Sequence, residues 1–285
     1  MRWELGRKST NVEDRRGTQI SGPVVGGGIG AIVLSVIVAL LGGDPSVILN
    51  QREAPSTRPR TESPQTQRNA ANDRMADFVS VVLADTEDTW HNLFRQMGRT
   101  YVDPKLVLYS GAVESACGFA RSAVGPFYCP ADQKLYIDLS FYEDLKTRHN
   151  APGDFAQAYV IAHEVGHHVQ NQLGISDKVR ALQSRVDRVK ANQLSVRLEL
   201  QADCFAGIWA NHANRSRHIL EQGDVEEALN AASQIGDDRL QSQAKGYVVP
   251  ESFTHGSSAQ RVRWFNRGIQ TGEPAQCNTF EVANP

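Results

Sequence analysis

The chain has 285 residues, of which 40% are hydrophobic, so it can build a substantial core and is not a wholly disordered protein. Its 30 basic and 32 acidic side chains leave a formal net charge of −2. Nucleic-acid-binding proteins normally carry a strongly basic face, so nucleic acid is not expected as a partner.

The first predicted element is a transmembrane helix. Residues 23–43 contain no charged side chain, which is typical of one membrane span. Basic residues precede this run and the first one after it is Arg52. The positive-inside rule therefore predicts that residues 1–22 are cytoplasmic and that the bulk of the chain is exported. A cleaved signal peptide is the alternative, although no clear small-x-small site ends a short apolar core.

A flexible linker is predicted at residues 44–74. Most of this stretch is rich in Gln, Arg, Thr, Pro, Ser and Asn and has almost no large apolar residue. Such a composition cannot bury enough surface to offset the cost of ordering the chain. The folded domain is expected at residues 75–285, opening with a helix of about 20 residues in which Phe78, Val81 and Trp90 recur at helical spacing.

Short β-type runs between residues 101 and 140 predict a small sheet. They are 106–109, 126–129 and 135–139, separated by Gly, Pro, Ser and Asp. The last run, Leu135 to Leu139, is interpreted as an edge strand along which an extended peptide could lie.

Four cysteines allow three disulfide pairings. Cys117 and Cys129 flank a predicted turn, and a bridge from Cys204 to Cys277 would fix the C-terminal tail to a central helix. We favour these two disulfides in an exported domain, and the sequence alone leaves the other pairings open.

A central helix is predicted at residues 154–173. Asp154 with Gln157 three residues later is typical of a helix start, and Gly174 is typical of a helix end. Apolar residues cover much of the helix circumference, which indicates packing on more than one side. The following stretch, 174–195, is predicted to be an amphipathic surface helix.

The central helix carries His-Glu-x-x-His at residues 163–167. Side chains four residues apart share one helix face, so His163 and His167 can bind a single metal ion. Two imidazoles with an adjacent carboxylate suit Zn²⁺, one ion per chain. Glu164 is placed to take a proton from water as a general base.

Two carboxylates at i, i+4 spacing lie among apolar residues in the next strong helical stretch, 196–210. An unpaired buried carboxylate is costly, and a nearby dication removes that cost. Glu199 is therefore predicted as the third zinc ligand. Asp203 is predicted to accept a hydrogen bond from the outer N–H of a ligating histidine, His163.

The last candidate is His255, in a loop before a Ser-capped helix that is expected to end near Gly268. It can donate a hydrogen bond to the oxyanion formed during peptide hydrolysis, or it can be a packing histidine. Tyr247 is a weaker candidate for the same role. His168 points about 100° away from His167 on the helix and is interpreted as structural. The other histidines, which receive the same structural interpretation, are His91, His149, His212 and His218.

These motifs resemble those of a known family. The segments His163–His168, Glu199–Asp203, Gly125–Cys129 and His255–Ser258, together with the opening residues 1–4 and 11–16, are similar to the bacterial putative neutral zinc metallopeptidase family, which is gluzincin-like. The resemblance implies an α+β fold, mainly helical and zincin-like, with a small β-sheet, a zinc ion and a membrane anchor. The predicted location is the bacterial cytoplasmic membrane, single-pass, with the catalytic domain on the periplasmic or extracytoplasmic side.

The function predicted from the sequence is a membrane-anchored zinc metallopeptidase that hydrolyses peptide bonds of exported or membrane-surface proteins. The alternative is a non-catalytic, membrane-tethered binding or scaffold protein whose zinc is structural. A structural site needs no base and usually has four protein ligands, so Glu164 favours the enzyme. The physiological substrate and the oligomeric state are left open.

Overall fold

Two small sheets form the β part of the protein. In the computed structural model, which describes residues 1–17 and 70–285, the strands are β1 (Val12–Asp14), β2 (Lys105–Tyr109), β3 (Ala112–Ser115), β4 (Gly118–Arg121), β5 (Phe127–Cys129) and β6 (Lys134–Asp138). One sheet has the order β1-β2-β6-β5, and β3 and β4 form a hairpin. Strand β1 is parallel to β2, β2 is parallel to β6, and β5 is antiparallel to β6.

Eight α-helices of the described residues make up most of the fold. They are α1 (Ala70–Gln96), α2 (Ser140–Thr147), α3 (Asp154–Gln172), α4 (Ile175–Gln183), α5 (Arg188–Arg217), α6 (Asp224–Gln234), α7 (Asp237–Lys245) and α8 (Ser258–Thr271). Helices α1, α3 and α5 confirm the helices predicted to open the domain and to carry the two motifs. The amphipathic stretch at 174–195 is two helices rather than one, because Asp187 caps the start of α5 by accepting a hydrogen bond from the Lys190 N–H.

The main core lies between the sheet and the helices. Leu106 and Leu108 of β2 point into it together with Ile137 of β6, whereas Val107 and Tyr136 point to the opposite face, which the β3–β4 hairpin covers. Because successive side chains of a strand alternate between faces, both faces of the sheet are buried here. This burial explains the continuous apolar run at 106–109.

The position of the edge strand differs from the prediction. Strand β6, which contains most of Leu135–Leu139, lies between β2 and β5 and is therefore interior. Among the described strands, β5 is the edge on that side of the sheet. The β-pattern alone does not distinguish interior from edge strands here, because both have buried faces.

Both predicted disulfides are present. Cys117 is bonded to Cys129, and Cys204 is bonded to Cys277. The second bond joins the middle of α5 to the C-terminal tail, and both of its cysteines are fully buried.

The predicted transmembrane helix is wrong as part of this fold. None of the helices in the described ranges is long and apolar enough to cross a membrane. The longest of them, α1 and α5, carry charged side chains along their length. The described residues form an α+β fold, mainly helical, with a small sheet. The run at 23–43 and the linker up to residue 69 lie outside the described residues, and α1 begins at Ala70 rather than at residue 75.

Residues 1–17, which the sequence analysis set apart as a cytoplasmic segment, lie against the domain. Strand β1 extends the sheet beside β2. Ser9 and Asn11 donate hydrogen bonds to the buried Glu87 carboxylate of α1, at 2.5 and 2.9 Å. The indole ring of Trp3 packs edge-on against Phe78 of the same helix.

Candidate metal centre

Two histidines of α3 converge on one point. The Nε2 atoms of His163 and His167 are 3.2 Å apart, as the one-turn spacing on a helix allows. Their rings stand nearly perpendicular to each other. The outer Nδ1 atom of each ring faces an oxygen acceptor. When a ring is neutral, its Nδ1 therefore carries the hydrogen, and its Nε2 presents a lone pair to the centre.

Helix α5 supplies the third converging group. Glu199 Oε2 lies 3.1 Å from His163 Nε2, and Glu199 Oε1 lies 3.5 Å from His167 Nε2. One ligand atom from each of these three residues lies within 4.8 Å of the others. Two imidazole nitrogens and one carboxylate oxygen are a donor set typical of a zinc site that keeps an open position. The residues present therefore fit a zinc ion.

The electrostatics of the centre favour a cation. Burial lowers the pKa of His163, but the Asp203 and Glu199 carboxylates outweigh it and raise that pKa to about 10. Burial raises the pKa of Glu199, but the His167 and His255 imidazoles outweigh it and hold that pKa well below its usual range. The centre thus combines an ionised carboxylate with two imidazoles of raised pKa, and a metal ion would compete with protons for the imidazoles.

Asp203 orients His163. Its Oδ1 atom lies 2.8 Å from His163 Nδ1 and accepts a 2.6 Å hydrogen bond from the Tyr159 hydroxyl. Asp203 is fully buried. Burial raises its pKa, but the Arg261 guanidinium and His163 outweigh this effect and lower the pKa to about 2. Asp203 therefore stays ionised and fixes the His163 ring with Nε2 toward the centre.

Arg261 of α8 is a buried partner that the sequence analysis missed. Its Nε and Nη2 atoms donate to the two carboxylate oxygens of Asp203, each at 2.9 Å. Its Nη2 also donates to the Tyr159 hydroxyl at 3.1 Å. A bidentate Arg–carboxylate pair adds geometric specificity to the charge pairing. The sequence offered only an arginine in an amphipathic helix, which is usually a solvated residue.

Glu164 lies beside the converging donors and is buried. Burial raises its pKa, an effect that the neighbouring His167 and His163 partly offset. The main chain of Tyr128 in β5 also offsets part of the rise. A carboxylate with a raised pKa in a cleft is suited to accept and return a proton.

His255 lines the same cleft and is held by Asp237. Asp237 Oδ2 accepts the main-chain N–H groups of Thr254, His255 and Gly256 at 2.7, 2.6 and 3.0 Å. Its Oδ1 lies 3.3 Å from His255 Nδ1. Asp237 is a further partner that the sequence analysis did not assign to the site. Tyr247, the weaker candidate, is exposed and does not line the cleft.

His168 faces away from the centre. Its Nδ1 lies 3.0 Å from the Tyr128 hydroxyl, and its Nε2 lies 2.8 Å from the Val102 carbonyl oxygen. Burial lowers its pKa to about 4. Of the other histidines, His149 lines the cleft, His91 pairs with Asp103 at 2.8 Å, and His212 contacts the Gly272 carbonyl.

The cleft beside the centre has a volume of about 320 Å³. Edge strand β5 and the loop before it form one wall, helix α4 and Leu198 contribute to another, and apolar side chains predominate. The side chains that line it include Tyr128, Glu164, Glu199 and His255. The cleft is therefore open to a ligand at the point where the three donors converge.

A second acidic cluster needs no metal. Asp154, Asp224 and Glu227 bring their oxygens close together. The α-amino group of Met1 lies 2.7 Å from Asp154 Oδ1 and 3.3 Å from Asp224 Oδ1. A positive charge therefore already pairs with two of these three carboxylates.

Comparison with known proteins agrees with the motifs. Residues 1–280 match the family model described as "Putative neutral zinc metallopeptidase". The uncharacterized protein YpfJ of Escherichia coli (strain K12) is 54% identical over 288 residues, which cover 98% of this chain and 99% of that protein. The uncharacterized protein Rv2575 of Mycobacterium tuberculosis (strain ATCC 25618 / H37Rv) is 40% identical over 258 residues, 86% of this chain and 85% of that protein. No solved structure gives a significant match.

Proposed function

The chain belongs to the putative neutral zinc metallopeptidase family, and from that premise we propose that it is a zinc-dependent peptidase that hydrolyses internal peptide bonds of proteins. The observation that carries the proposal is the convergence of the His163, His167 and Glu199 donor atoms beside the buried Glu164. Their donor chemistry and the open cleft support catalysis more than a closed structural site, which would have a fourth protein ligand.

His163, His167 and Glu199 would hold the zinc ion. When bound, zinc supplies Lewis acidity that activates water and polarises a carbonyl group. Glu164 takes the proton from the attacking water and passes it to the nitrogen of the leaving amine. Its burial and raised pKa support this role, because a carboxylate that binds a proton more readily can carry it between the two atoms.

His255 is proposed to stabilise the negative charge that develops on the substrate carbonyl oxygen. Asp237 accepts from its Nδ1 and fixes the loop that carries it. Burial lowers the pKa of His255, but the Glu199 and Asp237 carboxylates outweigh it and raise that pKa. The ring is therefore proposed to act as an imidazolium, which carries a hydrogen on Nε2 as well and can donate it toward the cleft. A preorganised donor of this kind contributes more in a desolvated cleft than in water.

Strand β5 is proposed to align an extended peptide. It lines the cleft and is an edge among the described strands, so its main-chain groups can pair with a substrate strand. The two disulfides support a working place in an oxidising, extracytoplasmic compartment. Proteins exported to that compartment are the proposed substrates.

Glu164→Gln tests the proposal. The variant keeps the shape of the side chain but cannot accept a proton, so cleavage of quenched-fluorescent casein should fall by about 10²- to 10⁴-fold while one zinc per chain is retained. Glu143→Gln, an exposed position on α2, is the matched control and should cleave like wild type.

Two outcomes would contradict the proposal. Cleavage by Glu164→Gln at the wild-type rate would remove Glu164 as the base. A zinc-loaded wild-type protein that cleaves neither casein nor exported-protein extracts would favour the non-catalytic scaffold.

A further inference from the structure

His167 is oriented by a different set of residues from His163. Its Nδ1 lies 2.9 Å from Gln170 Oε1, one turn along α3. Gln170 is fully buried, and its Nε2 donates to the Leu198 carbonyl of α5 at 2.6 Å and to Gln201 Oε1 at 3.2 Å. Gln201 is also buried, and its Nε2 donates to the Cys277 carbonyl at 3.0 Å.

The direction of this chain of amides is fixed by its two ends. A main-chain carbonyl oxygen can only accept a hydrogen bond. Because Gln201 contacts the Cys277 carbonyl, its amide nitrogen must face that carbonyl, and its oxygen must face Gln170. Gln170 contacts the Leu198 carbonyl as well as that oxygen, so it must present its nitrogen to both and its own oxygen to His167.

The orientation of the two amides determines the tautomer of His167, a proposed metal ligand. A glutamine oxygen can only accept, so His167 must place its hydrogen on Nδ1, and the lone pair is left on Nε2. That is the atom that lies 3.2 Å from His163 Nε2 and 3.5 Å from Glu199 Oε1. Reversing any one amide would set two acceptors or two donors against each other in a buried site.

The Cys204–Cys277 disulfide fixes the end of this series of amides that lies farthest from His167. Cys277 lies in the C-terminal tail, and its bond to Cys204 places its carbonyl under Gln201. Further contacts of the tail come from Arg197, which donates to the carbonyls of Val282 and Ala283 at 2.8 and 3.3 Å. The tail therefore completes the surroundings of the metal centre although it contributes no ligand.

We propose that Gln201 and Gln170 form an amide relay that positions His167 for zinc and makes zinc affinity depend on the Cys204–Cys277 disulfide. Gln170 and Gln201 are positioning residues, since they act on the metal only through His167. The inference rests on the proposed zinc centre and identifies how the fold regulates that centre.

Zinc affinity of the full chain tests the relay, measured by competition with a chromophoric chelator and with zinc alone as ligand. Gln201→Leu keeps the bulk of the side chain but ends the relay, and it should weaken zinc binding by about 10- to 100-fold. Gln234→Leu, a buried glutamine of α6 whose amide donates to Asn230, is the matched control and should bind like wild type. The Cys204→Ala/Cys277→Ala variant should weaken binding in the same range, and Cys117→Ala/Cys129→Ala should not.

A second measurement needs no variant and covers the case in which the substituted proteins fail to fold. In zinc-loaded wild-type protein, long-range ¹H–¹⁵N spectra should show a hydrogen on His167 Nδ1 and metal bound at Nε2. Metal bound at Nδ1, or wild-type affinity in folded Gln201→Leu, would overturn the relay. Absence of zinc binding in the wild type would instead overturn the proposed function.

Discussion

His168 shows, at the scale of one residue, that burial can lower the pKa of a histidine that directly follows a proposed metal ligand. It follows His167 in sequence but points about 100° away round α3, between Tyr128 and Val102. Burial lowers its pKa from 6.5 to about 4, so the folded protein keeps it neutral. The unfolded chain binds a proton near the ordinary pKa, so the two states differ in protonation between these values.

This difference predicts a pH-dependent stability. The free energy of unfolding that depends on a neutral His168 is fully present above pH 6.5 and is lost as the pH falls toward 4. The expected decrease is about 3 kcal/mol. Urea unfolding of the metal-free protein at a series of pH values measures it. His168→Gln should reduce the slope, whereas His218→Asn, at an exposed position with positive φ, should keep it. An equal slope in His168→Gln would contradict the assignment.

The side chains at the centre were predictable where one helix fixes their spacing. His163 with His167 and Glu199 with Asp203 are each one turn apart, and helix geometry alone places each pair on one face. Arg261 and Asp237 were not predictable in the same way. Arg261 lines the cleft from α8, whereas Asp237 of α7 is fully buried and contacts His255. No local spacing in the sequence encodes which elements these two helices pack against.

At the scale of elements, the centre depends on a close crossing of α3 and α5. Gly166 lies between the two histidines and faces Ala202, which lies between Glu199 and Asp203. A Cβ atom at Gly166 would lie 3.0 Å from both the Cα and the carbonyl oxygen of Ala202. The small side chains allow the two helices to approach until donors from both meet.

Gly166→Ala tests the crossing. Helix propensity alone would stabilise α3 by about 1 kcal/mol, but the new contact is with backbone and forces the helices apart by a few tenths of an ångström. We therefore expect weaker zinc binding, because Glu199 moves away from the histidines. Adding Ala202→Gly removes a further contact at 3.2 Å and should restore part of the affinity. A Gly166→Ala protein with wild-type zinc affinity would show that α3 and α5 accommodate an added methyl group without moving the donors apart.

The order and type of most elements were predictable, but their neighbours in space were not. The β-type runs at 106–109, 126–129 and 135–139 correspond to β2, β5 and β6. Their pairing depends on contacts across the chain, so the interior strand was mistaken for the edge. Strand β1 was missed because Val12–Asp14 is short and polar, and only its partner β2 gives it an extended conformation.

At the scale of the whole molecule, residues 1–17 are part of the folded body. Glu87 of α1 is only 2% exposed, and three side chains of this segment satisfy its carboxylate: Arg7, Ser9 and Asn11. Composition divided the chain at the apolar run and so separated this segment from its partners. The contacts that join them span more than 70 residues of sequence.

The double variant Ser9→Ala/Asn11→Ala measures this attachment. It removes two hydrogen bonds to a buried carboxylate and should lower the free energy of unfolding by about 2–4 kcal/mol. Lys8→Ala is the control, because the Lys8–Asp77 pair is exposed and contributes less than about 1 kcal/mol. Equal stability of the double variant and wild type in urea would mean that the segment does not pack on α1.

Zinc K-edge X-ray absorption on the purified full chain tests the metal centre most directly. We predict one zinc per chain with two imidazole nitrogens, one carboxylate and one exchangeable oxygen that does not come from the protein. Replacing Glu199 with Ala should remove the carboxylate contribution and weaken zinc binding. A spectrum with four protein ligands, or a protein that binds no zinc, would contradict the assignment of His163, His167 and Glu199 to an open catalytic centre.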